Sequence, residues 1–395
     1  MQWETKKLED LADFYLGKML DKKKNKGDYR PYLANVNVRW GGFELDDLRE
    51  MRFEDREKER YGLEYGDIVM CEGGEPGRCA IWKNQIPGMM FQKALHRIRP
   101  NATLDYRFLY YSFLNRGQEG GFDQYCTGAT IKHLPRQNLA KVEVAVPPLE
   151  TQRAIASILS AYDDLIENNT RRIEILEEMA RRLYEEWFVH FRFPGHEEVS
   201  FKESELGEIP EGWEVGTLQD VIVLQRGFDL PVKKRTPGDF PIVSATGVSG
   251  THVEAKIDGP GVVTGRSGSI GKVMYVHGSY WPLNTTLWGK AFPLGSSLFA
   301  FYTLSAIDLK GFNVGAAVPT LNRNDIHGLP VILPAKEVVQ LFDQVAGPIH
   351  ELVVTLEKKS ANLRTQRDLL LPKLVSGEID VSDITMPEDK EVEAA

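Results

Sequence analysis

Residues 262–276 read VVTGRSGSIGKVMYV, a glycine-rich turn with Arg266, Lys272 and two serines between apolar runs. Such a turn could hold a nucleotide phosphate, a nucleic-acid phosphate, or only its own backbone. A nucleotide loop needs four residues between its glycines and a Ser or Thr after the lysine. Here five residues separate Gly265 from Gly271, and Val273 follows Lys272. A related stretch at 68–82, IVMCEGGEPGRCAIW, keeps two glycines as Gly74 and Gly77 but places Arg78 where the lysine stood. Neither turn is therefore read as a nucleotide site. Glycines let backbone N–H groups approach a phosphate, and Arg78, Arg266 and Lys272 would add charge. The alternative is a tight strand-to-strand turn with a solvent-facing cation.

DNA affinity needs cations near phosphates, and sequence reading needs Arg, Asn, Gln or Lys at base edges. The densest basic run, KKKNKGDYRPY, supplies Lys22, Lys23, Lys24, Lys26 and Arg30, and PVKKRTPGD supplies Lys233, Lys234 and Arg235. TIKHLPRQN and PTLNRND add Lys132, Arg136, Asn322 and Arg323. Arg136 and Arg323 occupy aligned positions, so a shared structural pairing competes with a shared DNA contact. Trp40, Trp82, Trp281 and Trp288 are read as core residues.

Signatures of catalysis are weak. There is no Asn/Asp-Pro-Pro-Tyr/Phe methyltransferase motif and no GxSxG, and the only Pro-Pro lies in AVPPLE. Eight histidines suggest no metal ligand set, and His133 and His327 fall at unaligned places in related segments. No catalytic residue and no metal site is assigned, and the chain is read as a non-enzyme.

Three cysteines, Cys71, Cys79 and Cys126, lack CxxC spacing and fit a reducing compartment. The N-terminus has no apolar signal region, and no stretch approaches the roughly 20 apolar residues of a membrane span. A cytoplasmic protein is expected. Net charge is −9, but residues 1–148 carry 24 Lys+Arg against 22 Asp+Glu and 206–334 carry 10 against 10. The excess acid sits in 149–205 and 335–395. Two near-neutral blocks could hold a basic face, whereas the acidic segments could not easily lie along DNA.

The elements that would position these residues repeat along the chain. Trp3, Glu4, Leu8, Asp10 and Gly17 recur as Trp213, Glu214, Leu218, Asp220 and Gly227, all 210 residues later. The two glycine turns are offset by 194, and 128–150 matches 315–337 at 187. A falling offset in a fixed order indicates one duplicated unit with loops of unequal length. Each copy opens with short apolar runs bounded by Gly, Pro and Ser, which read as strands.

Each copy closes on a long helix. In the first, Ile155, Tyr162, Asn169, Leu176 and Leu183 interleave with Leu159, Ile166, Ile173, Ala180 and Trp187 at heptad spacing. In the second, Phe342, Ile349, Leu356, Leu363 and Leu370 interleave with Ala346, Val353, Ser360, Arg367 and Leu374. The shared frame predicts that the two helices pack on each other, with Asn169, Ser360 and Arg367 fixing register. Gly347-Pro348 predicts a break or kink in the second helix.

The order of segments carries a resemblance. A variable block is followed by PPLETQRAIASILSAYDDLIENNTRRIEILEEMARRLYEEWFVHF and then by LGEIPEGWEVGTLQD; after a second variable block comes LRTQRDLLLPKLVSGEIDVS. This resembles the specificity subunit of type I restriction-modification systems, over nearly the whole chain and most specifically in the helical segments and GEIPEGWE. The resemblance implies an α+β fold: two repeated, β-rich target-recognition domains separated by two long helices that form an antiparallel coiled coil with pseudo-two-fold symmetry. The expected layout is 1–148 for the first domain, 149–190 for the central helix and 191–205 for a linker. The second domain would occupy 206–334, the C-terminal helix 335–377 and an acidic tail 378–395.

The resemblance further implies double-stranded DNA as ligand, one half-site per domain, with the helices setting the gap. Methyltransferase subunits (two of them) and restriction/translocase subunits would dock on the chain, with Glu177, Glu178, Arg181 and Arg182 as candidates on the outer helix face. S-adenosylmethionine, ATP and Mg²⁺ would belong to those partners and none to this chain. A coiled-coil scaffold binding only proteins is the competing reading.

Overall fold

The structure, a computed structural model, describes residues 3–384 apart from Leu20, Lys22–Lys24, Ala129, Ala316 and Asp383. The chain divides into two compact units, one formed by residues 1–168 with 360–395 and the other by 169–359. Most of the tail expected at 378–395 falls outside the described residues.

In the first unit, the strands Ala12–Leu16, Leu95–Pro100, Ile68–Cys71 and Cys79–Ile81 form an antiparallel sheet in that spatial order. Ile68–Cys71 is an unbroken apolar run because both of its faces are covered. Ile68 and Met70 enter a core with Phe108 and Phe113, while Val69 and Cys71 enter another with Trp82 and Phe91. The helix Tyr106–Gln118 supplies those phenylalanines, and Asp105 caps it by accepting from the Arg107 and Phe108 amides. Glu4–Lys7 pairs with Glu143–Val146, and Arg49–Phe53, Asp28–Leu33 and Met90–Phe91 form a second sheet.

The second unit repeats this topology. Val223–Arg226, Thr286–Ala291, Gly261–Gly265 and Val273–Val276 take the same spatial order, Glu214–Thr217 pairs with Pro330–Leu333, and Ser297–Ser305 is the covering helix. Gly247–His252, Phe240–Ser244 and Trp281–Pro282 form its second sheet. The parallel pairing of a two-residue strand recurs too, Tyr32 with Met90 and Ile242 with Trp281.

Two long helices, Leu149–Tyr184 and Lys336–Val375, contribute to both units. In the first unit, Ile155 and Leu159 share a core with Leu371 and Leu374; in the second, Ala180, Tyr184 and Trp187 share one with Phe342 and Ala346. Within each unit the helices are therefore antiparallel. Of the seam residues, Ile155, Leu159, Ile166, Trp187, Phe342, Val353 and Leu356 are buried, and Tyr162, Ile173, Leu176, Leu183, Ile349, Leu363 and Leu370 are half-buried. The second helix continues unbroken through Gly347 and Pro348, so of the expected break or kink the break does not occur. Proline forfeits one intrahelical bond, but Phe342, Ala346 and Val353 are buried on either side of it and hold the helix in place.

The stretch expected as a linker is partly folded. A five-residue π-helical turn, Glu185–Val189, ends the first helix, and Phe201–Ser204 pairs with Gly207–Pro210 as a hairpin. Trp213 of GEIPEGWE lies 2% exposed, stacked on Phe193 at 5.1 Å and met edge-on by Phe191. Gly207 and Gly212 take φ of 97° and 86°, which explains the glycines of that motif. Losing such a buried Trp costs about 3–5 kcal/mol. Its counterpart Trp3 packs on Phe108 and on Gly377, where a Cβ would come 2.9 Å from the indole.

Candidate nucleic-acid interface

The strand registers bring the sequence-selected segments to one end of the sheet in each unit. In the first, Leu16 pairs with His96 and Cys71 with Leu95, so three strand ends coincide. From that end leave the segment carrying Lys26 and Arg30, and the turn 72–78. The loop 127–134 lies against that turn, with Leu134 donating to the Glu72 carbonyl at 2.7 Å and Gly73 bridging to His133. In the second unit, Arg226 pairs with Leu287 and Gly265 with Thr286. There Leu321 donates to the Arg266 carbonyl at 2.8 Å, and Ser267 bridges to Thr320. A local reason is shared: Gly17 and Gly227 let the chain pass where a Cβ would sit 2.3 Å and 2.2 Å from backbone of Gln92 and Leu283.

The candidate cations are not equally available. Arg78 folds inward, its side chain 17% exposed, with Nη1 on Glu75 at 2.8 Å and Nη2 on the Asn35 carbonyl at 2.9 Å. It braces its own turn, and burial raises the pKa of the Cys71 thiol beneath it although the guanidinium opposes that rise. Lys132 pairs with Asp123 at 2.6 Å. Arg30 is half-buried in its strand, whereas Lys26 is exposed. Lys22, Lys23 and Lys24 lie outside the described residues.

Arg136 and Arg323 share a structural task. Arg136 donates from Nε to the Phe14 carbonyl at 3.0 Å, and Arg323 from Nη1 to the Leu224 carbonyl at 3.4 Å. Phe14 and Leu224 are 210 residues apart, equivalent positions of the repeat. The alignment of these arginines therefore records a repeated brace, made to a backbone carbonyl rather than an acid. Arg136 also stacks over Phe14 at 5.2 Å.

In the second unit, Arg266, Ser267 and Gly268 spend their amides on the Thr285 and Pro319 carbonyls. The turn thus holds its own neighbours first. Arg266 donates from Nε to the Asn284 carbonyl at 3.0 Å, and Lys272 is exposed. Lys310 packs its stem beside Gly271, where a Cβ would meet its Cγ at 2.7 Å. Lys233 and Lys234 stand exposed on a 3-10 turn, Arg235 donates to the Leu230 carbonyl at 3.3 Å, and Asn322 caps the helix Arg323–His327.

Sequence reading missed Arg226, Lys290 and Lys310. None sits in a basic run; strand pairing places Arg226 at the sheet end, and packing against Gly271 places Lys310 beside the turn. The two histidines singled out are structural: His133 packs against Gly73, and His327 accepts the Leu224 amide at 3.0 Å, burial lowering its pKa. Along the helices, Arg181 and Arg182 both engage Glu178, whose carboxyl these bonds pull down to about 2. Burial raises the pKa of Glu177, and Glu357 and Glu174 add to the rise.

The family model of the type I restriction modification DNA specificity domain matches this chain twice, over residues 1–178 and 210–346. The MjaIX specificity subunit of a type I restriction enzyme from Methanocaldococcus jannaschii is 27% identical over 343 residues, 81% of this chain and 79% of that one. The MjaVIII specificity subunit from the same organism is 28% identical over 57% of this chain and 50% of its own length. A crystal structure of the type I restriction-modification S subunit from M. genitalium superposes with a TM-score of 0.60 at 18% identity, covering 95% of this chain and 96% of that one. At that identity the likeness establishes the fold.

Proposed function

Because the chain belongs to the type I restriction-modification DNA specificity family, as a recognition component and not a catalyst, we propose that each of its units reads one half of a bipartite double-stranded DNA target. The observation that carries this is the convergence of glycine turn, basic segment and brace loop on the same sheet end in both units. Side chains at that end differ between copies: Glu72 and Arg78 in one stand where Arg266 and Lys272 stand in the other. One chain can thereby contact two unlike half-sites.

The long helices set the gap. At about 1.5 Å per residue, 36 and 40 residues reach about 54 and 60 Å, enough to span the roughly 34 Å of one DNA turn. The first helix carries 7 Asp+Glu against 5 Lys+Arg over 149–184, which disfavours phosphate contact along it, and the two helices dock methyltransferase subunits (two in number) and restriction/translocase subunits. Ile175 and Met179, 54% and 52% exposed beside the Glu178–Arg181–Arg182 network, offer an apolar patch for that purpose. S-adenosylmethionine, ATP and Mg²⁺ act in those partners, where the target adenine is flipped from the duplex.

Co-expression with the methyltransferase subunits, followed by genome-wide mapping of N6-methyladenine, tests this. A bipartite motif with a fixed gap is expected, and methylation without any motif would refute it. Adding one heptad within 160–185 should change the gap and leave both half-sites intact.

A further inference from the structure

We propose that a concavity along the edge strand Val223–Arg226 of the second unit is a phosphate cradle, in which Arg226, Lys290 and Arg323 grip one backbone phosphate of the DNA. This rests on the DNA reading above. The concavity has a volume of about 710 Å³ and holds three cations against a single acid, Asp229. Asp229 is 4.0 Å from Arg226, its side chain is 72% exposed, and it already accepts the Asn284 amide. Among the described residues of 206–334 this is the only ion pair, so the cations of the cradle are left with little internal compensation. Arg323 spends one N–H on the long bond to Leu224, and Lys290 stands exposed with no ion pair among the described residues.

The other copy of the repeat shows that the fold does not require a charge at Arg226 and neutralises the one at the position of Lys290. Leu16 stands where Arg226 is, and Arg99 stands where Lys290 is. Arg99 is held by Asp67 at 2.7 Å and Glu64 at 2.9 Å. Only the brace, Arg136 for Arg323, is common to both. Arg226 has only the 4.0 Å contact with the exposed Asp229, and Lys290, unlike Arg99, has no ion pair among the described residues.

Phosphate fits the site better than a base edge. Three of the five polar lining side chains, Arg226, Lys290 and Arg323, are donors only, and Arg guanidinium forks match phosphate oxygens in pairs. A guanine edge, with its O6 and N7 acceptors, takes one such fork, whereas three cations on one concavity match the charge and several oxygens of a phosphate.

Arg226→Gln, Lys290→Gln and the double variant would be made in the full chain complexed with its methyltransferase subunits. Binding is then measured against salt concentration on two duplexes, one carrying the mapped target and one scrambled. The expected result is a slope of log K on log salt that falls in magnitude by about 0.9 in the double variant, one phosphate's worth. Affinity for both duplexes should drop by the same factor, while Lys141→Gln on the first unit leaves the slope unchanged. An unchanged slope in the double variant, or a loss confined to the mapped target, would overturn the cradle. A wild-type complex that binds neither duplex and leaves no methylation motif would overturn the DNA reading itself.

Discussion

Asp163 and Arg367 form an ion pair between the two long helices within the first unit, and breaking it tests what holds the helices in register. Their side chains are 17% and 28% exposed for Arg367 and Asp163 respectively. Asp163 also accepts the Tyr111 hydroxyl at 2.7 Å, tying the pair to the covering helix, and Arg367 reaches Asp368 at 2.8 Å. Burial works against the charge of Arg367, yet Asp163 and Asp368 outweigh it and raise its pKa. Arg367→Leu leaves Asp163 with only Tyr111 and should cost about 2–4 kcal/mol, below the full penalty of a completely buried pair. Asp163→Leu leaves Arg367 with Asp368 and strands the Tyr111 hydroxyl, for about 2–3 kcal/mol. The double variant adds two leucines to an apolar seam, so its cost should fall about 2 kcal/mol short of the sum. Denaturant unfolding of the four proteins, followed by tryptophan fluorescence, measures each term. Single costs under about 1 kcal/mol, as for a surface pair, with an additive double variant, would refute the reasoning.

Two further perturbations follow from buried groups. Burial depresses His96 and His350 from 6.5 to about 4, with His96 Nε2 on the Leu134 carbonyl at 2.9 Å and His350 Nε2 on the Tyr302 hydroxyl at 2.8 Å. The unfolded chain binds protons first, so the stability each neutral ring contributes is present above about pH 6.5 and lost as pH falls towards 4, about 3 kcal/mol per ring. The position equivalent to His96 in the second unit is Leu287. His96→Leu should therefore flatten the acid limb of a urea-midpoint profile by that amount, and an unaltered limb would count against the assignment. Gly17→Ala and Gly227→Ala each force a Cβ into backbone at 2.3 Å and 2.2 Å and should cost about 3 kcal/mol or more. Thermal melts that match the parent would contradict that geometry.

The repeat was legible because it shows in spacing: Trp3 and Trp213, Gly17 and Gly227, and two glycine turns between apolar runs. The heptad frame was legible for the same reason, since a helix seam is written in periodicity. Individual site residues were less so. Arg78 and Arg266 look alike in sequence, but Glu75 and the Asn35 carbonyl draw one inward, while the other remains at the sheet end with only one backbone bond. Pairings of this kind depend on strands far apart in the chain, which local composition does not record. Helix continuity through Pro348 was missed likewise, because the apolar packing beside it overrides propensity.

A duplicated fold supplies its own control for separating architecture from recognition. Where both copies place the same residue type at the same site, as Arg136 and Arg323 do on equivalent backbone carbonyls, the shared bond records a demand of the fold, whatever further contact either guanidinium makes. Where the copies differ at the same sheet end, the fold has been shown to tolerate either residue. Leu16 against Arg226 and Glu72 against Arg266 are differences of this kind. Stability does not explain them, since the partner copy folds without them. Both lie where the strand ends and the glycine turn meet, which is where the two copies present different chemistry on a shared frame.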